Sequence, residues 1–547
     1  MSLLTRLPCD EAAIASGAKA SPCQASSRRW TLAAAILGSG MAFVDGTLVN
    51  VGLPAIQRDL HASASDMQWV VEAYALFLAA LLLAGGALGD RYGRRRLFAI
   101  GVALFTVASV ACGLSGTVGA LIGARAVQGV GAALLVPGSL SLISATFPQN
   151  ERGKAIGTWS AFSGITTALG PVLGGWLIER YAWNWAFWIN VPLGLVLLAM
   201  CTKVPESRSH DGVQPVDVWG ASWATLGLAG AVGAFIEASQ QGWDSPVVIT
   251  GLVIGVAALV LFVRVELRTP YPMLPLGLFR NRDFLGANLL TLLLYGALGG
   301  GLYFFPLDLI QVQGYSATAA GAAMLPFIAI MFALSRWAGK LVDTFGAKLP
   351  LVVGPVVAAA GFALFAWPSI GGSYWTTFFP AICALGLGMV ITVTPLTTTV
   401  MNSVESDHAG VASGVNNAVS RAAGLLAVAL FGILMAAMFE QRLNASLQAP
   451  SNGAPPLSPA LVQAVLEQRK QLAGIAVPPQ ADEAAGAVIR HATQAGFVAG
   501  FRGVMGVCAL LSLMSAGVAA LMIGGPRPSA RLQREPKPSG ATESGRA

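Results

Sequence analysis

The stretch Gly86-Ala-Leu-Gly-Asp-Arg-Tyr-Gly-Arg-Arg-Arg-Leu-Phe98 packs one acid and four arginines between two long apolar runs. A charge cluster of this kind marks a loop where the chain leaves one apolar helix and enters the next. Gly86 and Gly93 are expected to allow a close backbone approach and a sharp turn, where a side chain would clash. Asp90 falls at the expected C-terminal end of the preceding helix, where a negative charge opposes the helix dipole. It therefore calls for a partner, either a neighbouring helix N-terminus or an arginine, and such contacts can lock one conformation.

Working outward, the 547 residues are 55% hydrophobic and only 11% charged, with a mean hydropathy of +0.67. Soluble domains carry about 25% charged residues, so an ordinary soluble protein is excluded. Apolar windows long enough to cross ~30 Å of hydrocarbon recur along the chain. They predict fourteen spans, near 30–52, 69–89, 97–115, 118–144, 155–179, 185–202, 218–238, 247–265, 284–310, 317–342, 349–368, 374–400, 411–438 and 497–523. The 64 glycines suit close helix packing in lipid.

The net charge of +7 does not argue for a nucleic-acid partner, because the basic residues sit in short loops and tails between spans. With a cytoplasmic N-terminus, the exterior segments hold only Arg58, Arg180, Arg442, Arg469, Lys470 and Arg490, as the positive-inside rule requires. The even span count returns the C-terminal tail to the cytoplasm. The six cysteines and four histidines lack metal-ligand spacing, so no metal site is expected. Residues 1–29 lack a signal-peptide pattern, and the first span is read as an uncleaved anchor. No phosphate-binding loop appears, so neither ATP hydrolysis nor another enzymatic activity is indicated.

The opening stretch repeats in degraded form as Gly339-Lys-Leu-Val-Asp343-Thr-Phe-Gly346-Ala-Lys348, where Thr344 stands in place of Arg91. Internal repeats are typical of transporters with a site at the midplane between the halves. The repeat implies two six-helix bundles, over 30–202 and 284–523, with an inserted helix pair in 203–283. Tails occupy 1–29 and 524–547. A long exterior loop, 439–496, is read as a flexible, partly helical cap that serves as a plain linker, with a binding role as the alternative.

Buried charges supply the candidate mechanism. Arg125 and Gln128 in the fourth span share a helix face at a spacing of three. An arginine inside a span costs about 2.5–3.5 kcal/mol on insertion scales, so it is expected to face the bundle interior or water. Asp45 in the first span is its natural partner. Burial there disfavours the carboxylate and a neighbouring arginine favours it, and that competition suits a proton carrier. The competing reading is a packing acid bonded to Asn50 or to nearby hydroxyls; Asn50 is itself a candidate substrate contact. Glu72 in the second span is balanced between a solvated rim and a substrate contact; Glu237 in the seventh is read as solvated. Asp308 in the ninth span is a candidate proton relay or cation contact. Arg336 is close enough to the cytoplasmic face to snorkel, and Arg421 lies deeper, where it pairs within its bundle or meets substrate. Gly170-Pro171-x-x-Gly174-Gly175 in the fifth span combines a helix-kinking proline with a small-xxx-small face.

The loop Gly86–Phe98 closely resembles the signature between the second and third spans of the major facilitator superfamily. Leu121-x-x-x-Arg125-x-x-Gln128-Gly129-x-Gly131-Ala-Ala resembles that superfamily's proton-coupling signature. Gly164-x5-Gly170-Pro171-x-x-Gly174-Gly175-Trp176 resembles its antiporter signature, and Phe43–Ile56 looks like the first-span signature of its fourteen-helix drug:proton antiporters. Trp183-Asn184-Trp185-Ala-Phe-Trp188-Ile-Asn190-Val-Pro192-Leu-Gly194 is similar to the same group, with Asn184 in place of a common arginine; its tryptophans suit an interfacial belt. The resemblance implies an all-α major facilitator fold and export of amphipathic or cationic small molecules, driven by the proton gradient without a cofactor. It implies that Gly86, Asp90, Arg91, Gly93 and Arg94, with the weaker copy at Gly339, Asp343 and Gly346, form a conformational latch. The expected setting is the cell membrane, a bacterial inner membrane, with both termini cytoplasmic and the chain working as a monomer. A periplasmic adaptor partner stays open. Export of one narrow substrate (a lipid, a metabolite or a self-made antibiotic) is the alternative, and a channel or transport-dead sensor is a more distant one.

Overall fold

A computed structural model describes residues 25–207, 217–272, 274–404, 409–448 and 457–524. All regular structure among them is helical. The helices are α1 (Ala25–Asp59), α2 (Ala64–Tyr92), α3 (Arg94–Gly113), α4 (Val118–Thr146), α5 (Gln149–Arg180), α6 (Trp185–Trp188) and α7 (Asn190–Cys201). The inserted pair is α8 (Val218–Gln241) and α9 (Pro246–Arg268). There follow α10 (Arg282–Leu307), α11 (Ala317–Ala322), α12 (Leu325–Phe345), α13 (Lys348–Phe365), α14 (Tyr374–Asn402), α15 (Ala409–Gln448), α16 (Pro459–Glu467) and α17 (Glu483–Met522). Twelve stretches are long and apolar enough to cross a membrane. With α5 and the shorter apolar rod Trp185–Cys201, the fourteen expected spans are all present as helices.

The rods group as the fold class predicts. In the N-terminal bundle, α4 packs on α2 and α3, and α1 on α5; in the C-terminal bundle, α13 packs on α14, and α10 on α15 and α17. Phe98, Phe105, Met41 and Leu135 fill the first core. In the second, Phe305 meets Phe365 and Phe378 edge-on at 5.0 and 5.7 Å, a geometry that favours the ring quadrupoles. The inserted α8 lies along both α2 and α15, so it spans the seam between bundles, and α9 packs outside it on α8. Val247, Val253 and Val256 of α9 remain exposed, as a lipid-facing surface should.

Two ends can be told apart. One carries the Gly86–Phe98 loop (the motif side) and the other the segment 457–482 (the loop side). That segment departs from expectation. α15 runs on to Gln448 and α17 begins at Glu483, so the apolar periodicity stops before the helices do. The connection is shorter than 439–496, and its described part is not a plain linker. Its short helix α16 is capped by Ser458, and a 3-10 turn, Arg469–Gly474, packs against α1, α2, α15 and α17. Gln57 Nε2 donates to the Gln471 carbonyl at 3.2 Å, tying it to the N-terminal bundle.

Hydrogen bonds described between the bundles lie in the loop-side half. Thr318 at the start of α11 donates to Glu179 at the end of α5, Gln311 Nε2 donates to Gln57 Oε1 at 3.1 Å, and Gln68 Nε2 to the Val428 carbonyl at 3.3 Å. Glycines set this closeness. A Cβ on Gly175 would run into the Ala317 carbonyl, and one on Gly321 into that of Pro171. The bundles are therefore joined on the loop side.

Candidate functional site

The N-terminal bundle builds a buried polar cluster from four helices. α4 is drawn close because Gly129 and Gly131 carry no side chain: a Cβ on Gly129 would strike the Tyr74 carbonyl, and one on Gly131 would lie 2.7 Å from the Phe105 nitrogen. That approach carries Arg125 and Gln128 inward beside Asp45 of α1. Arg125 forms an ion pair with Asp45 Oδ2 and donates to Gln128 Oε1 at 2.6 Å. Asp45 Oδ1 accepts from Gln128 Nε2 and from Asn190 Nδ2 of α7, each at 2.8 Å. Ser109 Oγ of α3 accepts from the same two amides at 2.8 and 3.3 Å. Arg125 Nε donates to the Val70 carbonyl at 3.0 Å, and its guanidinium lies 4.3 Å from the Tyr74 ring centroid.

All five polar side chains are at most 1% exposed. An ion pair so deep loses several kcal/mol of hydration per ion, and is tolerated only when its remaining lone pairs and protons are matched. Both Asp45 oxygens are matched here. A proton on Asp45 would remove that match and leave Arg125 without its counter-charge. Each buried charge of the cluster is thus answered by the other.

Asp45, Arg125 and Gln128 come together, while Asp308 does not join them. It is buried at the loop-side end of α10, where the chain passes into a π-turn, Asp308–Val312. Gln313 Nε2 donates to its Oδ2 at 3.3 Å, and its Oδ1 has no partner among the described residues. Asn50 is not the partner of Asp45; its Oδ1 is buried and unpartnered among the described residues. Glu72 is not a solvated rim acid. It is 2% exposed and its Oε2 has no described partner, because α2 is covered by α8 and α15. Arg421 is half-buried on α15, its Nε unpartnered among the described residues, with Tyr74 of the other bundle within electrostatic reach. Glu237 accepts from Gln241 Nε2 at 2.7 Å near the end of α8.

The α5 signature packs on the helical turn that carries Asp45. A Cβ on Gly170 would meet Thr47 Oγ1 and lie 3.1 Å from the Val44 carbonyl, and one on Gly174 would lie 2.5 Å from Leu48 Cγ. Pro171 lies inside this helix. Gly175 faces the opposite bundle, as above. One helix therefore touches both the proton candidate and the seam.

At the motif side, Gly93 turns the chain with φ +110°. Gly86 does not do what was expected of it: a Cβ there would sit 3.7 Å from Pro137, an ordinary contact. The close approach belongs to Gly85, where a Cβ would strike the Ala133 carbonyl. Glu206 accepts from the backbone nitrogens of Arg95 and Arg96 at 3.0 and 3.2 Å, placing a carboxylate on the N-terminus of α3. Arg91 is exposed on α2 and stacks on Tyr92 at 5.3 Å; Arg94 opens α3, its nitrogen donating to the Ser207 carbonyl at 3.0 Å. In the weaker copy, Gly346 also turns with positive φ, +72°. The side chains of Asp90, Arg336 and Asp343, and the surroundings of Gly339, lie outside the described residues.

Sequence reasoning missed Asn190, Ser109, Tyr74 and Glu206. Asn190 had a signal, since it interrupts the apolar run Trp188–Leu198. The tryptophan belt is only partly one. Trp185 is 46% exposed, but Trp183 is 4% exposed and donates to Asp59 Oδ2 at 2.7 Å.

A profile of the Major Facilitator Superfamily matches residues 35–428. Puromycin resistance protein pur8 of Streptomyces alboniger is 38% identical over 408 residues, 74% of this chain and 81% of that protein. Tetracenomycin C resistance and export protein of Streptomyces glaucescens is 35% identical, covering 75% and 76%. Multidrug resistance protein Stp of Mycobacterium tuberculosis (strain ATCC 25618 / H37Rv) is 34% identical, covering 76% and 78%. Among solved structures, a bacterial homologue of the human lysosomal transporter Spinster superposes with a TM-score of 0.62 at 17% identity, covering 92% of this chain and 100% of that one.

Proposed function

Because this chain belongs to the major facilitator superfamily, we propose that it is a proton-coupled exporter of amphipathic small molecules, cationic ones among them, working by alternating access. The observation that carries the reading is the buried Asp45–Arg125–Gln128–Asn190 cluster in a molecule whose bundles meet on the loop side. The motif side is assigned to the cytoplasm, where its arginines satisfy the positive-inside rule. Substrate then enters from the motif side. A proton arriving from the exterior neutralises Asp45 and frees Arg125, and the α5 helix transmits the change from the Val44–Leu48 turn to the Gly175 seam. A ligand or proton shifts the two states only by its differential affinity for them.

The gradient constrains stoichiometry. One charge crossing ~100 mV yields about 2.3 kcal/mol. Exchange of one proton for one monovalent cation moves no net charge and draws only on the pH difference, so cationic substrates call for a second acid. Asp308 and Glu72 are the candidates. A narrower exporter is the second reading, favoured by relatives named for single antibiotics, puromycin and tetracenomycin C. The test is efflux from vesicles. Native protein is expected to show saturable, proton-gradient-dependent export, and Asp45→Asn to lose the gradient dependence. Full proton-driven export by Asp45→Asn would overturn the assignment. A drug panel in an efflux-deficient host separates broad from narrow substrate range.

A further inference from the structure

A cavity of about 460 Å³ lies on the loop side, between the ends of α1, α2, α8, α10 and α15 and under the turn Arg469–Leu472. That volume suits a drug-sized ligand. Its walls pair side-chain amides (Gln57, Gln68, Gln311) with aromatic faces (Trp243, Tyr303, Phe304). The charges at its rim are exposed: Glu440 is bound to Arg469 at 3.2 Å, and Lys470 points to solvent.

The charge beneath it is different. Ala64 and Gln68 of α2 line the cavity, and Glu72 continues that stripe at the same four-residue spacing, one turn deeper. Glu72 is buried, its Oε2 has no partner among the described residues, and cavity-lining Tyr303 lies within its electrostatic reach. A buried carboxyl oxygen without a partner is costly, and a cationic ligand would relieve that cost. The opposite stripe of the same helix serves the proton cluster, since Val70 accepts from Arg125 and Tyr74 lies over its guanidinium.

We propose that this cavity is a release-side binding site for an aromatic organic cation, its charged group directed at Glu72 and its rings held against Tyr303, Phe304 and Trp243. The proposal rests on the exporter reading for the word release, but the site itself does not. α2 then joins two events, with the ligand on the Gln68–Glu72 stripe and the proton-dependent pair on the Val70–Tyr74 stripe.

The test is equilibrium binding to the purified full-length protein in nanodiscs without a gradient, so a failure of proton coupling would leave it untouched. The probes are ethidium, an aromatic cation, and N-phenyl-1-naphthylamine, which is neutral. Glu72→Gln is expected to lower the ethidium-to-naphthylamine affinity ratio about ten-fold, the scale of one charged contact. Glu72→Asp should keep the preference for ethidium, and Ala436→Phe, which fills the cavity from α15, should weaken both probes. An unchanged ratio in Glu72→Gln, or undiminished binding of both probes to Ala436→Phe, would overturn the site. Should Glu72→Gln fail to fold, Ala436→Phe alone decides.

Discussion

At the scale of single residues, the polar cluster is held by reciprocity. Arg125 and Asp45 are both buried, and each answers the other's charge while Gln128 and Asn190 complete the carboxylate. Removing one member alone leaves a buried charge unanswered, which costs about 3–5 kcal/mol. Arg125→Met is therefore expected to lower thermal stability sharply. The double variant Arg125→Met with Asp45→Asn should lose much less than the sum of the single changes. A double-mutant cycle by thermal unfolding checks this, and strict additivity would contradict the pairing. Asn190→Ala removes one hydrogen bond to a charged group, so a loss of about 1.5–3 kcal/mol is expected in the same measurement. Asp45 and Arg125 were legible in the sequence because charges interrupting apolar runs are rare and costly. Ser109 was not, because small polar residues enter membrane helices at little cost and carry meaning only once a neighbour is known; Asn190 interrupts an apolar run, but its partner could not be read from the sequence.

At the scale of elements, helix identity was fully legible and helix ends were not. Apolar windows report the part of a rod that lipid sees. α15 and α17 continue beyond it, where Glu440, Arg442 and Arg490 face outward and no hydropathy window can follow. The opening loop teaches a similar lesson. Its glycines looked equivalent in sequence, yet Gly93 sits at φ +110° with Glu206 Cδ 2.9 Å from where a Cβ would stand, while Gly86 has ordinary room. Gly93→Ala is thus expected to destabilise by about 1–2 kcal/mol through backbone strain alone, more if the carboxylate is pushed aside. Glu206→Gln should cost about 0.3–1 kcal/mol by weakening the charge at the α3 N-terminus. Gly86→Ala should be nearly silent. Denaturant unfolding of the three variants ranks them, and a Gly86→Ala loss as large as that of Gly93→Ala would refute the assignment. Glu206 escaped sequence reasoning because it lies more than a hundred residues from the arginines it meets.

At the scale of the whole molecule, the decisive asymmetry is that, among the described residues, the hydrogen bonds joining the bundles lie on one side. Thr318 and Glu179, one on each bundle, are joined directly, and Gly175 and Gly321 let the backbones of α5 and α11 approach. An alternating cycle must break these contacts to open the loop side, so fixing them should stop transport without disturbing the fold. With Glu179→Cys and Thr318→Cys together, a short thiol-reactive bifunctional reagent is expected to join the bundles and abolish export. Either single variant treated alike should keep transporting, provided that Cys9, Cys23 and Cys383 are first replaced by serine, since Cys112, Cys201 and Cys508 are buried but Cys383 is only partly so. Gly175→Leu acts in the opposite sense. Its side chain wedges the seam where the Ala317 carbonyl now sits, so it should favour the loop-side-open state and lower the yield of that cross-link. Cross-linking yield and vesicle efflux, read on the same preparations, check both. Undiminished export by the fully cross-linked double variant would mean that the seam does not open during transport, and alternating access about it would have to be abandoned.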